Sequence, residues 1–321
     1  MKFRTVLAII AGFLPGSLAA VVIFLAIYSW PAMRFNGITF IFHNTWNLGN
    51  LYANPVEVAG TAIQPGAQYG ILFLIVGTLS STLIALLLAI PVGVGAAVFL
   101  AEAVTEKLRV WISFFVELLA AIPSVVFGLW GYVVLIPFLG QHFFPFLATV
   151  LGWLPIFAGP SGAGYGLLTA GIVLAMMIVP LIAATLRDAL VSQPAAMRES
   201  ATALGATRFE TIWRVMLPAT TKVLIGASFL ALGRALGETM AVLMVSGNAL
   251  NYLPQNIYAP ISTMAAFIVS QLDSALQDPT GMAVRTLAEI ALVLSVISVG
   301  VNAFARLLLL FWGRASRAGA A

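Results

Sequence analysis

Six long apolar runs, separated by polar stretches, restrict this chain to one broad class of fold. They cover roughly residues 5–30, 70–100, 110–139, 166–186, 219–245 and 284–311. A helix needs about 20 predominantly apolar residues to cross a hydrocarbon core, and each run reaches that length. In lipid every backbone N–H and C=O must find a partner inside the protein, and within a single apolar segment only a helix provides one. The sequence therefore predicts an all-α integral membrane protein, a single transmembrane domain over residues 1–321 with six spans. Composition agrees, with 61% hydrophobic and 8% charged residues, where soluble domains carry about 45–50% apolar and about 25% charged. The first run follows Lys2 and Arg4, and Leu18-Ala19-Ala20 has the small residues of a cleavage site. The apolar run continues to Trp30, so an uncleaved anchor is expected.

Basic residues set the orientation. With both termini in the cytoplasm, the inner side holds Lys2, Arg4, Lys107, Arg109, Arg187, Arg198, Arg208, Arg214, Lys222, Arg306, Arg314 and Arg317, and the outer side only Arg34 and Arg285. Three outer loops follow, at residues 31–69, 140–165 and 246–283, all polar enough to be expected irregular.

The cytoplasmic loop between the fourth and fifth spans, residues 187–218, contains the densest charge, in the stretch Glu199–Pro218. Its grammar is that of two short helices with a hinge. Pro194 suits a first helical turn, and Met197, Ala201 and Leu204 share a face. Gly205 supplies the left-handed residue that ends a helix. Thr207 and Glu210 form a T-x-x-E capping box that starts another. Phe209, Ile212, Trp213 and Met216 then make an apolar face, Glu210 and Arg214 an i,i+4 pair, and Pro218 marks re-entry into the next span. Such a hairpin is either a docking surface or a helix lying on the lipid surface.

Ionisable residues inside spans are costly. Arg234 and Glu238 lie one turn apart in the fifth span and are expected to pair there. They either lock helices together or line an aqueous path. Arginine suits an oxyanion, because its planar fork binds two oxygens at once. Glu238 would hold Arg234 while the path is empty and repel an anion onward. Glu117 and Glu289 are weaker candidates for the path, Glu289 with Arg285 as its neighbour four residues earlier. Gly93-Val94-Gly95 is read as close helix packing. There is no cysteine, and His43 and His142 stand apart, so no metal site is expected. No P-loop, G-x-S-x-G or H-E-x-x-H motif occurs, which leaves no recognisable catalytic residues. Work against a gradient would draw on an ion gradient or on another subunit.

The loop resembles the EAA loop of ABC importer permeases: Glu199-Ser200-Ala201, three residues, Gly205, nine residues, Val215, one residue, then Leu217-Pro218. Serine replaces the first alanine and valine the usual isoleucine, both mild departures. The run GRALGETMAVLMVSGN, Gly233–Asn248, resembles the fifth span of the phosphate importer permeases of the Pst system, C-type. So do IPSVVFGLWG, Ile122–Gly131, and the frame from Gly70 to Glu102. The resemblance covers most of the chain, and least clearly the outer loops. It implies a type I, MetI-like permease in the inner membrane, in which Glu199, Ala201, Gly205, Leu217 and Pro218 dock a cytoplasmic ATPase. Arg234 and Glu238 would line the phosphate path. It further implies a second, A-type permease, two ATPases that use ATP and Mg, and a periplasmic phosphate-binding protein. No cofactor in this chain and no nucleic acid are expected. A permease for molybdate or sulfate, or a secondary transporter driven by an ion gradient, remain the alternatives.

Overall fold

The computed structural model describes residues 2–58 and 60–318. Among these, six helices are long and apolar enough to cross a membrane: Ala11–Asn36, Leu72–Ala103, Ser124–Leu151, Leu167–Val191, Arg208–Leu236 and Met282–Phe304. Of the basic residues counted for orientation, the side chains of Lys2, Arg314 and Arg317 lie outside the described ones.

The fourth span is the hub. In its most apolar window 72% of residues are buried, against 28% or less in the other five. Leu168, Val173, Leu174, Ile178 and Ile182 supply its core face. Without a hydrophobic drive between helices in lipid, close approach depends on small residues. Gly93 of the second span provides one: a Cβ there would sit 2.9 Å from Ile182 Cγ2. Gly171 accepts Ile84 from the opposite side in the same way. Gly95, read from sequence as part of the same packing device, faces open space.

The third span comes in two pieces. Helix Glu106–Ala121 stops at Ile122, held extended (ψ 132°) by the ring of Pro123, and helix Ser124–Leu151 follows. Together they run antiparallel to the fourth span. Glu117 meets Arg187 and Gly131 meets Val173, and both separations are fourteen residues (131 − 117 and 187 − 173). The expected stretch 110–139 therefore lies alongside the fourth span but is broken, and its helix continues outward to Leu151 through π turns at Gly131–Leu135 and Leu139–Phe143.

The fifth span corrects two expectations. Its helix starts at Arg208 and passes through Pro218, so the second half of the loop is the inner end of the span and not a separate helix. A π-helical stretch, Thr211–Met216, precedes the proline. The wider turn relieves the clash a proline ring makes with the turn before it. The helix then ends at Leu236, and only Met240–Val245 resumes it.

The outer loops are more ordered than expected. Trp46–Asn47 pairs antiparallel with Gln68–Tyr69, and Val56–Val58 with Thr61–Ile63. Met264–Leu276 is a helix. The cause is burial: the Trp46 ring lies 5.0 Å from both Tyr69 and Phe267. These side chains join Ala32, Phe73, Leu287 and Ile290 in a second core between the first and sixth spans. Burial, with the nearby Asp278 carboxylate adding to it, holds the Tyr69 hydroxyl far above its ordinary range and therefore neutral.

Candidate functional site

The polar loop is built much as its sequence grammar dictates. Pro194 leads into helix Ala195–Ala203. That helix closes when Ala206 N donates to Ala201 O (3.1 Å) and Gly205 N to Thr202 O (3.0 Å). This paired closure requires a left-handed residue, and Gly205 has φ +85°. The capping box forms, with Thr207 N donating to Glu210 Oε2 (3.0 Å) and Glu210 N to Thr207 Oγ1 (3.3 Å). Glu210 and Arg214 lie 3.8 Å apart.

The apolar faces divide. Ala201 and Met216 are buried against the body, whereas Leu204 is 90% exposed at the tip and Phe209 and Trp213 are exposed beside it. Their rings are 5.9 Å apart. Glu199 and Gly205 are also exposed. Leu217 and Pro218 line an apolar cavity of about 590 Å³ with Pro91, Val94 and Trp213. The loop thus turns an apolar tip outward on an ordered base.

Glu102 was not singled out in the sequence, and it is central to this base. It lies in the π turn Phe99–Ala103 that ends the second span, with its side chain 6% exposed. Its carboxylate pairs with Arg198, and its backbone carbonyl accepts from Arg208. The two arginines come from opposite sides of the Gly205 hinge. The available signal was the cost of a carboxylate at the end of so apolar a run, which demands a partner.

Arg234 and Glu238 do not pair. The helix break at 237–239 separates them: Glu238 Oε1 accepts from Ala241 N (3.2 Å), capping the resumed helix, while the exposed Arg234 donates to Ala120 O (3.4 Å). Ala120 is two residues before Ile122-Pro123. A proline lacks an N–H and disrupts the ladder on either side, so nearby carbonyls need other donors. The breaks in the third and fifth spans are therefore bridged by Arg234. Non-helical backbone at membrane depth is tolerated where protein buries it or a polar cavity borders it. Glu117 instead belongs to an ion pair with the buried Arg187 (3.1 Å), which also holds Asp188 (2.7 Å). Glu289 takes Asn36 Nδ2 at 2.7 Å, tying the sixth span to the first, and not Arg285.

Residues 89–310 match the family described as binding-protein-dependent transport system inner membrane component. The chain belongs to that family. The matched stretch contains the whole polar loop, Glu102, Arg234 and Glu238, and it makes the chain a multi-pass inner membrane transport subunit. Among curated proteins, the chain is 48% identical to phosphate transport system permease protein PstC 1 of Mycobacterium tuberculosis over 278 residues, 86% of this chain and 82% of that protein. It is 40% identical to phosphate transport system permease protein PstC of Pasteurella multocida over 313 residues, 97% of this chain and 91% of the relative. Among solved structures, the inward-facing MetNI methionine ABC transporter superposes with a TM-score of 0.52 at 18% identity, covering 74% of this chain and 96% of that one. A bacterial ABC transporter that imports alginate does so at 0.50 and 19%, covering 74% and 80%. The fold of this family member is that of the ABC importer permeases, with the MetI-like arrangement of its spans.

Proposed function

We propose that the chain is the C-type permease subunit of an ATP-driven importer of inorganic phosphate, with both termini in the cytoplasm. One observation carries this reading: the identity to permeases named for phosphate transport, over a length that includes the loop and Arg234. A periplasmic phosphate-binding protein delivers the anion to the outer loops. An A-type permease supplies the other half of the path. Of two cytoplasmic ATPases, one receives Leu204, Phe209 and Trp213 of the loop, with Glu199, Ala201, Gly205, Leu217 and Pro218 shaping that surface. ATP and Mg act on those partners, and no cofactor binds this chain. ATP binding presses on the loop and opens the spans outward; hydrolysis resets them.

In the path, Arg234 offers its fork to phosphate oxygens. Its bond to Ala120 O is long, so an arriving anion exchanges for a weak contact and not for a salt bridge. Glu238, already engaged with Ala241 N, keeps a negative charge on the outer side of Arg234 and favours passage over retention. The test is uptake of labelled phosphate into proteoliposomes holding the full complex. Excess unlabelled phosphate is expected to abolish the signal, and equal sulfate or molybdate to leave it nearly unchanged. Competition by molybdate as strong as by phosphate would contradict the cargo.

A further inference from the structure

Helix ends leave four carbonyls without intrahelical donors. At the inner end of the second span three carbonyls are answered by arginines. Arg109 Nε donates to Leu100 O (2.8 Å) and its Nη2 to Ala101 O (2.7 Å), while Arg208 takes Glu102 O. The Glu102 side chain holds Arg198. One short π turn thus grips both arms of the loop on one side and helix Glu106–Ala121 on the other.

That helix is a separate rod. It is bounded by the extended Val104 and Thr105 at one end and the extended Ile122 at the other. Its 16 residues span about 24 Å at about 1.5 Å per residue. Arg109 fixes one end to the second span, Glu117 and Arg187 fix it to the fourth, and Ala120 O meets Arg234 of the fifth. The Arg234 contact, at 3.4 Å, is the longest of these.

We infer that Glu102 is a positioning residue that couples the ATPase-docking loop to Arg234, with helix Glu106–Ala121 as the rigid connection. This rests on the permease reading of the chain. Arg208, on the backbone carbonyl, anchors the turn; a push on the loop reaches the Glu102 carboxylate through Arg198, then the adjacent Leu100 and Ala101 carbonyls and Arg109, and shifts the rod so that Ala120 O leaves Arg234. The guanidinium is then free for an anion. Cutting the link at Glu102 leaves the docking tip and Arg234 intact but disconnects them.

The test uses the assembled complex with Glu102→Gln, which keeps the size of the side chain and removes its charge. Arg198 is half-exposed, so Glu102→Gln exchanges a charge-assisted hydrogen bond for a neutral one and weakens the link by up to about tenfold. Phosphate carried per ATP hydrolysed is expected to fall several-fold while the ATPases still co-purify. The exchanged pair Glu102→Arg with Arg198→Glu is expected to recover most of that ratio. A second readout does not depend on the cargo. The chain has no cysteine, so Leu118→Cys on the rod and Leu230→Cys on the fifth span, both exposed, can carry spin labels. ATP with vanadate is expected to change their separation in the otherwise native chain and not in Glu102→Gln. An unchanged transport ratio, or the same nucleotide-driven distance change with and without Glu102, would overturn the inference. Loss of phosphate uptake by the unmodified complex, with the distance change retained, would count against the cargo alone.

Discussion

Arg234 shows how one residue can be legible in type and not in setting. A lone arginine in GRALGETMAV requires a reason to be in a membrane, and the structure supplies one in the carbonyl of Ala120. The partner could not be read from the sequence. Glu238 sits at helical spacing, but Gly237 lies between them and the helix stops at Leu236, which turns Glu238 into a cap. Glu102 escaped for the opposite reason: its partners, Arg198 and Arg208, are about a hundred residues away, where no local spacing points. Arg234→Ala is expected to abolish phosphate uptake, with the complex still assembling. Arg234→Lys should retain only a small fraction, since a point charge cannot bind two oxygens at once. Uptake assays on both variants check this. At Gly205, φ is +85° and a Cβ would meet nothing within 4 Å. Gly205→Asp should therefore fold at a cost of about 1–2 kcal/mol for the left-handed backbone, while losing most of the co-purified ATPase because a charge enters the docking surface. Full recovery of ATPase with that variant would remove the loop from the interface.

Helical elements were legible where periodicity and capping chemistry agree. The loop is the clearest instance: Pro194, Gly205, Thr207 and Glu210 each do locally what their chemistry allows. Breaks and continuations were not. Pro123 interrupts a span and Pro218 does not, because six residues of π helix precede Pro218. The outer strand pairs were missed because their stability comes from Trp46 and Tyr69 meeting Phe267 across about 200 residues of chain, and not from an alternating pattern. Packing between the second and fourth spans yields a paired prediction. Gly93→Ala places a methyl 2.9 Å from Ile182 and should destabilise the chain by about 1–3 kcal/mol. Gly95→Ala, on an open face of the same helix, should leave stability unchanged or raise it by up to about 1 kcal/mol. Denaturation of the two purified variants in detergent separates them; equal effects would mean that the spans do not meet at Gly93.

At the scale of the whole molecule, six spans, the hub role of the fourth and the placement of a charged loop at the end where Arg109, Arg187, Arg198 and Arg208 gather form one arrangement. Apolar run length carried most of that, since the bilayer allows few alternatives. In the proposed function the loop passes on the ATP-driven motion of a partner subunit. Transport by this assembly should therefore follow nucleotide and not an ion gradient. The direct measurement is the initial rate of labelled phosphate uptake into proteoliposomes holding the full complex and its binding protein. It is taken once with ATP enclosed and once with an imposed proton or sodium gradient alone. Uptake with ATP and none with the gradients is the predicted result; uptake driven by a gradient in the absence of ATP would contradict the account.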